Sequence, residues 1–581
     1  MLNACAAPKA ALDSITEGIS MADFDETFDW VVVGSGAGSM SSALLMNKAG
    51  KSVVILEKAP WAGGTTCKSG GVMWIPNNRF MDPGEDSDEK AITYLNAVVP
   101  DGPDSPGTSP ERRTAYAVEG RKMLDFIVEQ GVALERGSRF WPDYYDELPG
   151  GCKTSRTVTA LPFDKKELGA WAPKLRQGFL EVPARLDDGM KLPFMKHSWE
   201  IKKIFLKIAF KLVLGKLTGK HWVTAGAALQ GRMLKAVLEK QAADVRLESP
   251  VSEIVMEGGK AVGVVTTKGG KPWRIGANLG ILVNAGGFSQ NQAMRDKYMP
   301  GTYKEWSNGI ESNTGDLHVA MERVGGVLAQ MDEMVGFQMT KAPGWDTDYV
   351  KPGTQSTTAK PHAIQVDQSG VRYMNEGGSY ELFCETMLKR DKEVPAVPSW
   401  AIMDQQYMNE YPLAGKSGVK RNLDGWIQSG WVKRADTIEE LAKIIDVPPD
   451  TLKATVDRWN GFCDKGVDED FHRGARAYDD YLGDPFFDGP NKTMGRIDKA
   501  PYYAIEIVPG DVGTYGGVVT DVNARVLDAN NQPIEGLYAC GISTASAMGR
   551  VYPGAGASVG PSMTFGWVAA KHAAGLSNQA V

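Results

Sequence analysis

Cysteine and net positive charge are both scarce in this sequence of 581 residues. The six cysteines lie far apart and include no CxxC pair, so the sequence predicts neither a metal site nor a disulfide framework. Such cysteine usage fits a reducing cytoplasm. The formal net charge is −7 and the isoelectric point is near 5.6, which argues against a protein that binds nucleic acid.

Long apolar runs and a secretory signal are also missing. No run reaches the ~18 apolar residues that a membrane-spanning helix needs. The first 20 residues lack a charged segment followed by an apolar core, so residues 1–25 are predicted to be an N-terminal extension. The composition, 43% hydrophobic and 23% charged, is that of a soluble globular protein, and the length predicts two or three structural units.

The most informative pattern begins at Asp29. An apolar run from Trp30 to Val33 is followed by a glycine-rich turn and helix-forming residues, and a second apolar run ends at Glu57. This order predicts a strand, a tight turn, a helix and a second strand, where backbone N–H groups at the helix start bind a pyrophosphate. Glu57 lies where a carboxylate binds ribose hydroxyls and repels a 2′-phosphate, although the third fingerprint position is Ser39. The pattern therefore predicts a dinucleotide site.

Three later segments carry the same glycine-rich character. GGTTCKSGG, from Gly63 to Gly71, resembles the second cofactor loop of flavoproteins related to fumarate reductase; a surface turn is the alternative. The strand from Ile281 ends in a glycine turn, and a helix predicted from about Gly560 would present N–H groups to the electron-rich edge of a reduced flavin. The predicted cofactor-binding residues are Gly34, Gly36, Ala37, Gly38, Glu57, Lys58, Gly63, Gly64, Thr65, Thr66, Ser69, Gly70, Gly71, Val251, Ala285, Gly286, Gly287, Asn313, Asp316, Gly541, Ala557, Ser558 and Val559.

The middle of the chain has no second dinucleotide fingerprint. Residues 327–512 are rich in Pro, Trp and Tyr, and we predict that they form an inserted α+β catalytic domain. The fold class is therefore α/β, with a discontinuous Rossmann-like FAD-binding domain. Its first part is expected at 26–326, with an insertion at 160–222, and its second part at 513–581.

Residues 196–222 differ in composition from the rest of the chain, because seven lysines face one glutamate. Lys203, Lys207 and Lys211 recur every four residues and share one face of a predicted helix. Apolar residues are expected to cover another face, with tryptophans at both ends; they are Ile201, Ile204, Phe205, Ile208, Leu212, Trp199 and Trp222. The pattern is typical of a helix lying in a membrane interface, and the alternative is a helix packed on the protein's own core.

Taken together, the motifs resemble those of the 3-ketosteroid Δ1-dehydrogenases, FAD enzymes of the fumarate-reductase-like superfamily. The resemblance extends from about residue 26 to 575 and rests on VVVGSGAG with Glu57, GGTTCKSGG, PDYYDELPGG, NAGGFSQN, NTGD, RYMNEGGSYELF, VPSW and VYPGAG with GPSMTFG. It implies noncovalent FAD, because no histidine stands in GGTTCKSGG to carry a covalent flavin. It also implies a 3-ketosteroid substrate, with a quinone as a candidate electron acceptor.

The resemblance also implies catalytic roles for four residues. Tyr552 and the amide of Gly556 would hold the C3 carbonyl of the steroid and favour an enolate. Tyr380 would take the proton from C2, while the hydride leaves C1 for the flavin N5. A third tyrosine hydrogen-bonded to the base matches Tyr145, although Tyr144 is its neighbour.

Two related enzyme functions fit the sequence less well. Fumarate reductase and succinate dehydrogenase bind a dicarboxylate with His and Arg, and this chain has six histidines, none in a recognisable motif with arginine. A steroid Δ4-(5α)-dehydrogenase places a serine soon after the loop tyrosine, where this chain has Pro553-Gly554. The alternative outside enzymes is a flavin-binding membrane sensor or steroid carrier. The expected location is the cytoplasm, on the inner face of the membrane.

Overall fold

The computed structural model describes residues 24–137, 141–345, 349–414 and 422–577. The predicted extension at 1–25 lies almost wholly outside these ranges. The strands are β1 (Glu26–Val33), β2 (Val53–Leu56), β3 (Met73–Trp74), β4 (Leu134–Arg136), β5 (Thr157–Ala160), β6 (Phe163–Asp164), β7 (Trp222–Val223), β8 (Asp244–Arg246), β9 (Glu253–Glu257), β10 (Lys260–Lys268), β11 (Lys271–Val283), β12 (Leu328–Ala329), β13 (Met334–Met339), β14 (Ala363–Val366), β15 (Ser399–Met403), β16 (Lys433–Ala435), β17 (Tyr502–Thr514), β18 (Gly517–Val518), β19 (Arg525–Leu527) and β20 (Pro533–Ala539).

The helices connect and cover these strands. They are α1 (Ala37–Lys48), α2 (Gly64–Lys68), α3 (Asp88–Val98), α4 (Pro110–Glu129), α5 (Leu186–Met190), α6 (Trp199–Leu217), α7 (Ala225–Glu239), α8 (Gln292–Tyr298), α9 (Asp316–Arg323), α10 (Gln355–Thr358), α11 (Tyr380–Asp391), α12 (Gln405–Glu410), α13 (Leu423–Gln428), α14 (Ile438–Ile444), α15 (Pro449–Lys465), α16 (Ala477–Leu482) and α17 (Val559–Ala573).

The larger sheet has the strand order β19-β20-β11-β1-β2-β8, with β10 and β9 continuing from β11. Strand β1 pairs in parallel with β2 and β11, so that Val33 lies opposite both Leu56 and Val283. The apolar run at β1 is buried on both faces, as expected for the centre of a parallel sheet, and α1 provides the crossover to β2. The predicted βαβ unit is confirmed.

This sheet is assembled from both ends of the chain. Strand β20 pairs in parallel with β11, and α17 packs along α1. The contact is close because Gly566 faces Gly38, where an added Cβ would lie 2.3 Å from the Gly38 carbonyl oxygen. The discontinuous FAD-binding fold that the sequence predicts is therefore what the chain forms.

A second sheet, in which every strand pair is antiparallel, has the order β13-β17-β15-β14, with β16 beside β17. Helix α11 packs against β13 at Gly336, where a Cβ would lie 2.6 Å from the Cys384 Cβ. This contact holds α11, whose first residue is Tyr380, against the second sheet.

The insertion before α7 carries α6, which makes few contacts with the rest of the protein. Only Ile201 and Gly215 among its residues are buried. The apolar side predicted from the sequence, with Ile204 and Ile208, is half-buried against the protein. The exposed apolar residues are instead Trp199, Leu206, Phe210, Val213, Leu214 and Leu217.

Trp222 also departs from the expectation that it flanks a membrane surface. It packs on the helix, since a Cβ at Gly215 would lie 3.1 Å from its indole ring. In the part of the chain that the structure describes, no helix combines the length and apolar character required to cross a bilayer.

Candidate active site

A deep cleft lies at the carboxyl ends of the parallel strands. Gly34 follows β1, Glu57 follows β2 and Asn284 follows β11, and all three line the cleft. The carboxyl edge of a parallel sheet is where doubly wound folds bind nucleotides, because the helices that follow the strands begin there. The cleft therefore lies where the sequence motif predicts a dinucleotide.

The glycine turn that begins the cleft packs closely against Asn284. Gly34 has φ +97°, and a Cβ there would lie 2.2 Å from the Asn284 carbonyl oxygen. A Cβ at Gly36 would lie 2.7 Å from the Asn284 Oδ1. Gly36 caps α1 without a side-chain hydrogen bond, and Ser558 likewise caps α17. Two helix starts therefore offer N–H groups to an anion, as FAD requires.

The Glu57 carboxylate is buried, and protein groups donate hydrogen bonds to most of its acceptor positions. Its Oε2 accepts hydrogen bonds from the Ser35 N–H at 3.1 Å and the Ser35 hydroxyl at 2.6 Å. Its Oε1 accepts one from the Ala59 N–H at 2.9 Å. A carboxylate has about four acceptor positions, so one remains for a ribose hydroxyl.

Most of the predicted cofactor residues meet at this cleft. Those that line it are Gly34, Gly36, Ala37, Glu57, Lys58, Gly64, Thr65, Thr66, Ser69, Val251, Ala285, Gly286, Gly287, Asn313, Asp316, Ser558 and Val559. Lys58 is fixed there by the Asp316 carboxylate and the Thr314 hydroxyl, each 2.6 Å from its Nζ.

Six predicted cofactor residues do not line the cleft; they are Gly38, Gly63, Gly70, Gly71, Gly541 and Ala557. Several of these glycines instead allow segments to pack closely. A Cβ at Gly38 would lie 2.4 Å from the Ser562 carbonyl oxygen, and one at Gly71 would lie 2.3 Å from the Gly226 backbone. A glycine pattern alone does not distinguish these two uses.

The sequence interpretation missed several cleft residues, of which Asn284 makes the most contacts. Its Oδ1 accepts from the Ser39 N–H at 3.2 Å, and its Nδ2 donates to the Cys540 carbonyl and the Ser562 hydroxyl, each at 3.1 Å. Asn284 thus joins the glycine turn, β20 and α17. Its place between a buried strand and the Ala285-Gly286 turn was the available signal.

Beside the cleft, tyrosines from distant segments converge. The ring centroid of Tyr380 lies 5.4 Å from that of Tyr144 and 5.5 Å from that of Tyr552. Tyr478, which the sequence analysis did not identify, lies 4.3 Å from Tyr144. The Tyr552 hydroxyl is 2.9 Å from the Ser558 Oγ. Because Ser558 lines the cleft, the tyrosine cluster (Tyr144, Tyr380, Tyr478 and Tyr552) adjoins the cofactor site.

Tyr145 is not part of this cluster, which corrects the expectation that it is the third tyrosine. The Tyr144 N–H donates to the Pro553 carbonyl oxygen at 3.0 Å, and this bond fixes Tyr144 beside the Tyr552 loop. Consecutive side chains in the loop point apart, so Tyr145 faces Arg476, whose guanidinium lies 5.5 Å from its ring.

Burial dominates the electrostatics of the cluster. It raises the pKa of Tyr380 well above the ordinary value, whereas interaction with the Tyr144 hydroxyl lowers it. Burial likewise raises the pKa of Tyr552, whose pKa the Ser558 hydroxyl lowers. Tyr552 is therefore a neutral hydroxyl that can donate to a carbonyl, and an ionised Tyr380 would be a strong base.

Gly556 lies on the same loop as Tyr552. Its φ is +99°, and a Cβ there would lie 2.4 Å from the Val72 carbonyl oxygen, so only glycine fits. Within the described ranges, no group of three or more His, Cys, Asp or Glu side chains could hold a metal ion.

Comparison with known proteins agrees with this geometry. The family model described as FAD binding domain matches residues 29–559. A 3-oxosteroid 1-dehydrogenase of Mycobacterium tuberculosis is 37% identical over 567 residues, covering 94% of this chain and 98% of its own. A 4-oxocyclohexanecarboxylate 2-dehydrogenase of Sinomonas cyclohexanicum is 34% identical, covering 94% and 93%. The crystal structure of the 3-ketosteroid Δ1-dehydrogenase of Sterolibacterium denitrificans with 1,4-androstadiene-3,17-dione superposes with a TM-score of 0.87 at 33% identity, over 95% of this chain and 100% of that one.

Proposed function

The chain belongs to the family of FAD-dependent 3-ketosteroid Δ1-dehydrogenases, and we propose that it desaturates the C1–C2 bond of the A ring of a 3-ketosteroid. One observation carries this proposal. The Tyr552 hydroxyl is 2.9 Å from Ser558, which lines the cofactor cleft, and the ring of Tyr380 packs 5.5 Å from that of Tyr552. A carbonyl-binding hydroxyl and a base thus lie together at the edge of the flavin site.

The proposed roles follow from where each group lies. Tyr552 and the Gly556 N–H bind the C3 carbonyl oxygen, so that negative charge developing on it is stabilised as the C2 proton leaves. Tyr380 takes that proton, and bound FAD would accept the hydride from C1. Tyr144, rather than Tyr145, assists the base, because its hydroxyl lowers the pKa of Tyr380. Proton transfer of this kind contributes about 10²–10⁴ in rate.

A second substrate class arises from the relative that acts on 4-oxocyclohexanecarboxylate. A carboxylate substrate needs a cation, and two arginines beside the loop that carries Tyr144 already have acidic partners. Arg156 is 2.7 Å from Asp86 and 2.7 Å from Asp143, and Arg476 is 2.9 Å from Glu147. The surroundings of the tyrosines therefore favour an uncharged ring system such as a steroid.

Anaerobic titration of the purified holoprotein would test this function. Adding a 3-keto-4-ene steroid should bleach the oxidised flavin absorbance, whereas 4-oxocyclohexanecarboxylate should leave it unchanged. Bleaching by the carboxylate alone would instead assign the smaller substrate. No bleaching by either ketone would favour the sensor or carrier function.

We further propose that FAD is bound without a covalent bond. Cys67 lies within the second cofactor loop. Burial raises the pKa of its thiol to about 12, so the thiol stays protonated and unreactive. Heat precipitation should leave yellow cofactor in the supernatant. Flavin that stays with the protein pellet would contradict the proposal.

The exposed side of α6 is proposed to lie on a membrane surface. Leu206, Phe210, Val213 and Leu217 follow the spacing of one helical stripe, and their exposed fractions are 67%, 67%, 59% and 80%. A stripe of this kind buries its side chains only against another apolar phase. Lysines border it on both sides, as in helices that bind anionic lipid; they are Lys202, Lys203, Lys207, Lys211 and Lys216.

The charge of the lysines and the burial of the apolar stripe both favour binding to an anionic bilayer. Each lysine near such a surface contributes about 1 kcal/mol, and burial of the stripe adds ~25 cal/mol per Å². The proposed location is therefore the inner face of the cytoplasmic membrane, where sterols are concentrated and a quinone could accept the electrons.

Vesicle sedimentation would test this location. A variant with serine at Leu206, Phe210, Val213 and Leu217 should lose binding to anionic vesicles while keeping its turnover of a soluble steroid. The matched control replaces four exposed aliphatic residues elsewhere with serine, namely Val371, Ile444, Val467 and Val522. Equal binding by the stripe variant and the wild type would exclude this surface.

A further inference from the structure

The loop that carries Tyr144 is anchored by its buried neighbour, Asp143. The Asp143 carboxylate is 1% exposed and accepts three hydrogen bonds. Oδ1 accepts from the Trp74 indole N–H at 2.7 Å. Oδ2 accepts from the Cys152 N–H at 2.9 Å and from Arg156 at 2.7 Å. The mechanism proposed above assigns this carboxylate no role.

Arg156 has several partners besides the Asp143 carboxylate. Its guanidinium is fully buried and forms two hydrogen bonds to Asp86, at 2.8 and 2.7 Å, and one to the Gly150 carbonyl at 3.0 Å. Its cationic carbon lies 5.7 Å from the Trp74 ring and 5.3 Å from the Tyr94 ring. The arginine therefore keeps a partner even if Asp143 is uncharged.

Trp74 connects this ion pair to the loop that would bind the steroid carbonyl. Its backbone N–H donates to the Gly556 carbonyl oxygen at 3.2 Å. Its indole lies against Gly554, where a Cβ would be 2.3 Å from the ring. On the other side, the Tyr94 hydroxyl donates to the Pro553 carbonyl at 2.6 Å. The hydrogen bond from Trp74 to Asp143 thus joins the carbonyl-binding loop to the side chain that precedes Tyr144, in addition to the direct bond from the Tyr144 N–H to the Pro553 carbonyl.

We propose that ionised Asp143 is a positioning residue that fixes Tyr144 relative to the Tyr552–Gly556 loop, a role that rests on the proposed function. A carboxylate suits the site because it only accepts hydrogen bonds, and its three bonded neighbours are all donors. A protonated carboxyl would turn a donor towards one of them. The reaction needs both loops at once, since one holds the carbonyl and the other contacts the base.

The surroundings make this carboxyl sensitive to pH. Burial raises the pKa of Asp143 to about 6, while the Arg156 charge lowers it. The other ionisable groups that face it are Asp86, Cys152 and Tyr94. Because the folded-state pKa lies above the ordinary value of 3.8, stability from protonated Asp143 is lost as the pH rises through 6. The charged form that the reaction uses exists above that pH.

The test compares wild type with Asp143→Asn, which keeps an acceptor oxygen for Trp74 and removes the charge. The variant should bind FAD and steroid normally and show at least a tenfold lower kcat. The ratio of wild-type to variant kcat should shrink about tenfold between pH 8 and pH 5, because Asp143 in the wild type is then protonated. Taking the ratio removes the titration of Tyr380, which both proteins share.

Asp468→Asn is the matched control. Asp468 is 1% exposed and bonds Arg372, which also pairs with Glu376 and lies 4.4 Å from the Trp459 ring, yet this site does not touch the tyrosine cluster. Its variant should keep wild-type kcat at every pH. A similar kcat loss in both variants would mean that any broken buried ion pair has this effect, and the proposal would be overturned.

Trp74→Phe provides a second variant, which keeps an aromatic side chain, removes the hydrogen bond to Asp143 and leaves a smaller ring. It should lower kcat several-fold without changing the steroid affinity. The proposal fails if either variant that retains FAD keeps kcat within twofold of wild type, or if the ratio for Asp143→Asn is constant with pH. Failure of the proposed function is separate, because the wild type itself would then not bleach with steroid.

Discussion

The cofactor cleft and the tyrosine cluster adjoin each other but are built in different ways. The cleft consists of backbone at the ends of parallel strands, where Gly34 and Gly36 allow the turn to pack against Asn284. The cluster consists of side chains delivered by four separate parts of the chain. A site made of backbone depends on glycines, which have no side chain, whereas a site made of side chains depends on individual hydroxyls. Substitutions in the two regions should therefore fail differently.

The largest effect is expected in the cleft, from Gly34→Val. Its Cβ would lie 2.2 Å from the Asn284 carbonyl oxygen, and φ is +97°, so the turn that receives the pyrophosphate must move. The purified variant should contain no FAD, measured as the ratio of flavin to protein absorbance, and should show no turnover.

Gly50→Val is the control that shows the effect of backbone strain without a steric clash. Gly50 also has a positive φ, +70°, but nothing lies within 4 Å of its added Cβ. This variant should retain FAD. If both variants keep their cofactor, close approach at Gly34 is not what forms the cleft.

The next effect is expected in the cluster, from Tyr380→Phe. Removing one hydroxyl leaves the ring packing intact, so FAD and steroid should bind normally while kcat falls by about 10²–10⁴. Rapid-reaction measurement of flavin reduction gives the rate directly. Tyr373→Phe is the control, because Tyr373 is a largely buried tyrosine bonded to Ser399 and outside the cluster. A Tyr380 variant within twofold of wild type would remove it from the role of base.

A smaller effect distinguishes the two adjacent tyrosines. Tyr144→Phe should lower kcat about tenfold, the size expected for one hydrogen bond to a charged group. Tyr145→Phe should change it less than threefold, because its hydroxyl lies on the Ser379 and Arg476 side. Steady-state kinetics at one pH suffices. The reverse order would restore Tyr145 as the third tyrosine.

The smallest effect is expected from Gly70→Ala, which tests whether Gly70 contacts the cofactor. The nearest atom to its Cβ would be Leu186 Cδ2 at 3.5 Å, an ordinary contact, and Gly70 does not line the cleft. FAD affinity, measured by fluorescence during reconstitution, should stay within twofold of wild type. A large loss of affinity would place Gly70 at the cofactor after all.

Prediction from sequence worked best where the residues of a site are close together in the chain. The run from Trp30, the glycine turn and Glu57 lie within one βαβ unit, so their spacing along the chain sets their spacing in space. Asn284 was missed because its role depends on three segments meeting. Tyr478 was missed for the same reason, since nothing near it in the sequence marks a contact with Tyr144.

Helix α6 shows the limit of periodicity as a guide. The sequence predicts a helix within 196–222 with lysines along it, and the structure has one at Trp199–Leu217, but the sequence assigns the outward side to Ile204 and Ile208. More than one side of this helix is apolar, so periodicity cannot tell which side the protein covers. The packing of Trp222 on Gly215 is part of what sets the rotation of the helix.

The glycine turn and Glu57 could be predicted from the sequence because they lie within one βαβ unit, whereas the resemblance to a known family pointed to Tyr380 and Tyr552. The choice between Tyr144 and Tyr145 came from the folded structure, in which Tyr144 packs on Tyr380. One of the contacts that hold Tyr144 is the hydrogen bond from its N–H to the Pro553 carbonyl oxygen, more than 400 residues away along the chain. Neighbouring residues in an irregular loop have no fixed periodicity, so only a long-range contact can decide which of them points inward.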